Sequence, residues 1–136
     1  MENFMVRQGD ILLIPIRAGT VDVTTLEATP REGGDVVLAH GEATGHKHRF
    51  AGKETELYAP WPKGVTEPTE RVRHARELLA RLPKIGDGAV LVGVLDVREP
   101  DVLLHEEHSA IPHEAGQYAV LRQREYTPEA ILVVAD

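Results

Sequence analysis

The stretch 40-HGEATGHKHRF-50 places His40, His46 and His48 within nine residues, with Gly41, Thr44 and Gly45 between them. Its second half reads as a strand, and that reading decides what the histidines can do. On a strand, positions i and i+2 project to one face, so His46 and His48 point the same way. Two neutral imidazoles on one face can chelate a single divalent ion through their ring lone pairs. Burying such a pair in an apolar interior without a partner carries a desolvation cost, which an ion or a hydrogen-bond network would offset. Gly45 just before the pair lets the chain turn or approach closely. Glu54 and Glu56 follow within reach as carboxylates.

Working outward, "DVVLAH" (Asp35–His40) reads as a strand entered through the Gly33-Gly34 turn. "GHKHRFAG" followed by "TELYAP" reads as a hairpin that turns near Gly52-Lys53. Downstream, "LLHEEHSAIPH" (Leu103–His113) carries His105, His108 and His113, so six of the seven histidines fall in two short clusters. If the second cluster is extended, Leu103, His105 and Glu107 share one face while Leu104, Glu106 and His108 share the other. On a helical turn His105 and His108 would lie together. Val102-Leu103-Leu104 before the cluster and Ile111-Pro112 after it favour the extended reading, which leaves open which face joins the site. "HEEH" is not the zinc-protease helix pattern, which needs two residues between the Glu and the second His.

The remaining segments are mostly short apolar runs. "GDILLIPI" (Gly9–Ile16), "AVLVGVLDV" (Ala89–Val97, after a turn at Gly86–Gly88) and "QYAVLRQREY" (Gln117–Tyr126) read as strands. "VDVTTLEA" and the "AILVV" near the end add two shorter ones. Along Gln117–Tyr126, Tyr118, Val120 and Arg122 alternate with Ala119, Leu121 and Gln123. One segment differs in period. Over residues 67–82, Val72, Ala75, Leu78, Leu79 and Leu82 recur at helical spacing, with Pro68 at the start and Pro83 as the stop. His74 sits beside that stripe and reads as a surface residue. Trp61 reads as a loop aromatic at the mouth of the fold or in a pocket wall. The expectation is one domain over residues 1–136, mainly β, a small β-barrel or jelly roll with one inserted amphipathic helix.

Composition narrows the function classes. The 136 residues suffice to bury a core, and 42% hydrophobic with 27% charged content is that of a globular domain. The absence of cysteine excludes disulfides, thiolate metal sites and a Cys nucleophile. It suits a cytoplasmic location, as does an N-terminal stretch without a basic start or long apolar run. No segment is apolar over the span a bilayer requires. A net charge of −7 argues against nucleic acid, whose binding draws on Lys and Arg. Nucleophile-elbow, phosphate-loop and dinucleotide fingerprints are missing.

"GEATGHKHRFAGKE" followed downstream by "IPHEAGQY" resembles the two-part signature of the cupin superfamily: glycine, H-x-H, a Glu, and later a Pro–Gly turn feeding a strand. The resemblance spans Val36–Tyr126. It implies a small jelly-roll barrel that binds one divalent ion inside and often acts on a small molecule. His46 and His48 fall on the paired ligand positions, and Glu54 on the carboxylate position. The family's third histidine follows the late turn, where Gln117 and Tyr118 stand here. A third imidazole must therefore come from His105, His108 or His113, with His40 as a further candidate.

With iron, such a site supports oxygenase chemistry; with zinc, manganese or nickel it supports hydrolysis or isomerisation. Glu106 or Glu107 could then act as general base. Two alternatives stand beside the enzyme: a metal-stabilised binding or structural module with a closed shell, and a metal-free histidine acid/base hydrolase. A small-molecule ligand fits the first reading, and pairing of barrels through edge strands would make a homo-oligomer.

Overall fold

The computed structural model describes residues 5–41, 45–82, 88–123 and 133–135. Among the described residues eleven strands and one α-helix follow each other, with a short 3-10 turn at Val23–Thr25. Strands β1 (Val6–Gln8), β2 (Ile11–Ile16), β3 (Leu26–Ala28), β6 (Thr55–Pro62), β7 (Val90–Val97), β10 (Gly116–Arg122) and β11 (Val133–Ala135) form one seven-stranded sheet. Its order is β11-β1-β2-β10-β7-β6-β3, antiparallel except for β1 with β11. Two hairpins remain: β4 (Val36–His40) with β5 (Lys47–Phe50), and β8 (Asp101–Leu103) with β9 (Ile111–His113). A bridge between Arg49 and Leu104, with N···O distances of 3.0 and 2.8 Å in the two directions, stitches the hairpins into a second layer.

The core explains the layering. Alternate residues of the central strands are buried on both faces. Ile11, Leu13, Leu95, Val97, Tyr118 and Val120 face the hairpin layer, where they meet Val36, Leu38, Phe50, Leu103 and Ile111. Leu12, Ile14, Leu91, Val94, Ala119 and Leu121 face the other way, against Val21, Val23, Leu26 and Leu78 of the helix. The β reading of the chain and the alternation along β10 hold. The described strands do not close into a barrel, because β11 and β3 stand at opposite edges of the sheet without pairing to each other. Gly93 belongs to β7 because a Cβ there would run into the carbonyl oxygen of Tyr58 on β6.

The helix, α1 (Pro68–Leu79), matches the 67–82 reading closely. Glu67 caps it by accepting from the Glu70 amide at 3.2 Å, and Pro68 opens it. Leu78 is buried but Val72 is 49% exposed, so the apolar stripe is narrower than its period suggests. The helix packs over β6 and β7 on one face of the sheet through Leu78.

Three other expectations change. The strand read at Gly9–Ile16 begins at Ile11: Gly9 and Asp10 form the two-residue turn between β1 and β2, with Gly9 at φ 60° where only glycine is comfortable. "VDVTTLEA" splits into the 3-10 turn and β3, because Asp22 caps Thr24 at 3.0 Å and diverts the chain. β5 and β6 do not form a hairpin. β5 pairs with β4, β6 pairs with β7 and β3, and residues 51–54 cross between the layers. Asp101 holds that crossing, accepting from the Gly52 amide at 3.1 Å and from the Thr55 hydroxyl at 2.6 Å. Pro83, the turn at Gly86–Asp87, Tyr126 and residues 130–132 lie outside the described residues. Among the described residues no helix is long and apolar enough to cross a membrane.

Phe50 is fully buried between the layers, so Phe50→Ala should remove ~3–5 kcal/mol of unfolding free energy in urea titrations. A loss below about 1 kcal/mol would mean that the hairpin layer contributes little to the core.

Candidate functional site

The two histidine clusters meet at one end of the hairpin layer. His48 lies on β5 and is 2% exposed; His46 directly precedes that strand. His105 and His108 come from the connection between β8 and β9, which bends at residues 106–108. That bend resolves the question of faces. The segment is neither a continuous strand nor a helical turn, and it folds back so that both rings reach His48. The ring centroids of His48 and His105 are 4.3 Å apart, those of His105 and His108 4.6 Å, those of His46 and His105 5.8 Å, and those of His48 and His108 5.9 Å.

Two glycines make room for these rings. A Cβ on Gly9 would stand 2.9 Å from His108 Nε2 and 3.1 Å from His48 Cε1. A Cβ on Gly41 would stand 3.2 Å from both His105 Nε2 and His46 Cβ. Asp10, in the same turn as Gly9, sets its Oδ1 3.7 Å from His48 Nε2, and its Oδ2 accepts from Arg122 Nε at 2.7 Å. Gln8 is fully buried at the end of β1, with Oε1 2.9 Å from His48 Nδ1. Its Nε2 donates to the carbonyls of Leu103 at 3.3 Å and Ser109 at 2.9 Å.

The electrostatics favour the neutral form of His48 and of His105. Burial lowers the pKa of His48 to about 4, reinforced by the neighbouring His105 and only partly opposed by Asp10. His105 is lowered too, by desolvation and then by His108. For Asp10, burial is the largest single influence and pushes upward. The hydrogen bond and charge of Arg122, with His48, outweigh it and leave the carboxyl below its ordinary value.

The other expected site residues have different places. Glu54 is exposed at the far end of β5 from His46, and its backbone carbonyl accepts from the Arg98 amide at 3.0 Å. The reason is the crossing at 51–54, which carries it away from the rings; Asp10 is the carboxylate that stands beside them. Glu106 is a latch rather than a free base. Its Oε1 accepts from the Lys47 amide at 2.8 Å and its Oε2 from Arg49 at 3.0 Å. The Lys47 bond is the main cause of its lowered pKa. Glu107 lies nearer the rings, with Oε2 3.5 Å from His46 Nδ1, and its backbone amide donates to His105 Nδ1 at 3.0 Å. His40 is exposed and pairs with Glu32 at 3.0 Å. His113 is buried in the core, edge-on to Phe50 and Tyr118, with Nδ1 3.1 Å from the Ile111 carbonyl oxygen. Gln8, Gly9, Asp10 and Arg122 were not singled out by sequence reasoning. A polar Gln-Gly-Asp between two apolar runs was the available signal for the first three.

Among the described residues no group of three or more His, Asp or Glu side chains is arranged as a formed metal shell. What the geometry defines is a mainly β domain with four neighbouring imidazoles at one end of its hairpin layer, of which His48 is buried and His46, His105 and His108 are part-exposed. The chain belongs to the family described as a domain of unknown function (DUF8820), which matches residues 7–123 and so spans Gln8 and both histidine clusters. No curated protein and no solved structure matches the chain.

The depressed His48 pKa gives a stability signature in metal-free protein. The unfolded chain takes up a proton near pH 6.5 and the folded ring only near 4, so His48 contributes stability fully above about 6.5. That contribution is lost as the pH falls towards 4. Unfolding free energy measured from pH 7 to 4 should decline, and His48→Phe should reduce the slope by about one proton. An unchanged slope would mean that the ring is solvated.

Proposed function

We propose that His46, His48, His105 and His108 form a divalent-metal site, and that the chain is a metal-binding β domain of cupin type acting on a small molecule. The observation that carries this reading is the convergence of four rings from two distant stretches of sequence. An ion held at ~2.0–2.1 Å by two imidazole nitrogens brings the ring centroids to roughly 4.5–5.5 Å. The centroid separations of 4.3–5.9 Å bracket that range. Neutral rings are the ligating form. Glycines at 9 and 41 leave the space that a side chain would fill. Asp10 supplies a carboxylate beside the histidines, in the place first assigned to Glu54. A histidine–carboxylate set suits iron, zinc, manganese or nickel, and an ion held by three or four such groups keeps positions open for a small ligand.

His105 joins the set on one condition. The Glu107 amide donates to its Nδ1, which leaves the ring proton on Nε2 in this conformation. Coordination through Nε2 requires release of that bond. The same bond favours a second reading, in which a ring carrying its proton on Nε2 works without metal as the acid of an imidazole acid/base set. A cytoplasmic setting completes the proposal and fits the cysteine-free composition. The proposal includes no nucleic acid, in keeping with the net charge of −7.

The test is elemental analysis of untagged protein beside the His46→Ala/His48→Ala double variant, with circular dichroism to verify folding. Near-stoichiometric iron, zinc, manganese or nickel is expected in the wild type and none in the folded variant. No metal in either after reconstitution would overturn the metal reading. Activity that survives chelation would favour the metal-free set.

A further inference from the structure

We propose that Gln8 is the positioning residue of the cluster: its amide fixes which nitrogen of His48 faces the other rings and closes the mouth of the loop that carries His105 and His108. The first part stands on hydrogen-bond geometry alone, and its consequence for metal affinity rests on the metal-site reading above.

A glutamine amide has one acceptor oxygen and one NH2 with two donors. The NH2 of Gln8 reaches two carbonyl oxygens, Leu103 at 3.3 Å and Ser109 at 2.9 Å, which can only accept. Rotating the amide by half a turn would set its oxygen against both carbonyls, in a position that is fully buried. The orientation is therefore determined, and Oε1 faces His48 Nδ1 at 2.9 Å. An acceptor at that position requires the proton on Nδ1. The neutral ring then carries its lone pair on Nε2, the nitrogen 3.7 Å from Asp10 Oδ1.

The two carbonyls are also informative. Leu103 ends β8, and Ser109 stands two residues before β9, so they flank the histidine loop at its two ends. One NH2 group thus holds both ends of the loop, while the oxygen of the same amide holds the ring on β5. Two sequence clusters are brought into register by a residue from a third element. Outer partners of this kind typically account for ~10–100-fold in metal affinity.

Two variants separate the two roles. Gln8→Glu keeps an acceptor for Nδ1–H but offers no donor to the loop carbonyls. Gln8→Met keeps the length and removes both. The tautomer of His48 is read from ring nitrogen shifts in long-range 1H–15N spectra of metal-free protein, and zinc affinity from competition with a chromophoric chelator. The wild type should show the proton on Nδ1. Gln8→Glu should retain that tautomer yet bind zinc ~10–100-fold more weakly, and Gln8→Met should also mix the tautomers. A wild-type proton on Nε2 would overturn the proposal whether or not zinc binds. An unchanged tautomer in folded Gln8→Met would overturn it as well. If the tautomers behave as expected and zinc binds to none of the proteins, the metal reading fails and the assignment of Gln8 stands.

Discussion

The arrangement depends on one constraint: His48 is buried, and the Nδ1–H of a buried imidazole must find an acceptor. Leaving it without one would cost on the order of 1–3 kcal/mol. Nδ1 is served by Gln8, which comes from a different element of the fold. Nε2 opens onto Asp10 and the rings of His105 and His108. This demand explains features that otherwise look unrelated. β1 must end in a polar residue within an apolar sheet. The turn after it must lack a side chain, because His48 and His108 occupy that space. The 104–110 connection must return towards β5, because its two ends are tied to one amide.

A second constraint acts through the layers. The seven-stranded sheet is apolar on both faces, so it needs a cover on each side. The helix and the segment before β3 supply one, and the two hairpins supply the other. The hairpin layer is joined by the Arg49–Leu104 bridge, and Glu106 reinforces it by gripping the Lys47 amide and the Arg49 side chain. The bridge lies next to His48 on one side and next to His105 on the other. The interaction that completes the layer therefore also aligns the two histidine clusters. Stability and the candidate site draw on the same few contacts.

The parts legible in the sequence are those set by local period. Alternation exposed β10, a long apolar run exposed β7, and the 3.6-residue period exposed α1. The spacing of His46 and His48 pointed to one strand, but β5 begins at Lys47 and carries only His48. Pairing was not legible, because a strand's period states which face is apolar and says nothing of its neighbour. The segment after His48 looked like half of a hairpin, yet Asp101, far along the chain, holds it as a crossing between layers. Glu54 was misplaced for that reason. His105 and His108 escaped both regular patterns because a loop bent by contacts from Gln8 and Glu106 has no period to read. Gln8 and Asp10 lie far from either cluster in sequence, and only the folded chain brings them there.

The two neighbouring acids of "HEEH" illustrate how much a loop of this kind can divide its labour. Glu106 spends its carboxylate on β5. Glu107 acts through its backbone amide, which donates to His105 Nδ1. Gln8 accepts from His48 Nδ1, so the two closest rings of the cluster are held in opposite tautomers: lone pair on Nε2 for His48, proton on Nε2 for His105. That pairing suits a hydrogen-bonded set as it stands. In the proposed metal site, His105 would have to exchange its partner to offer Nε2, whereas the hydrogen bond to Gln8 already leaves the Nε2 lone pair of His48 open. The Glu107 amide bond is thus the contact that separates the hydrogen-bonded set from the proposed metal-bound one: an ion would bind His105 through Nε2 only if its coordinate bond outweighed one hydrogen bond of about 1 kcal/mol.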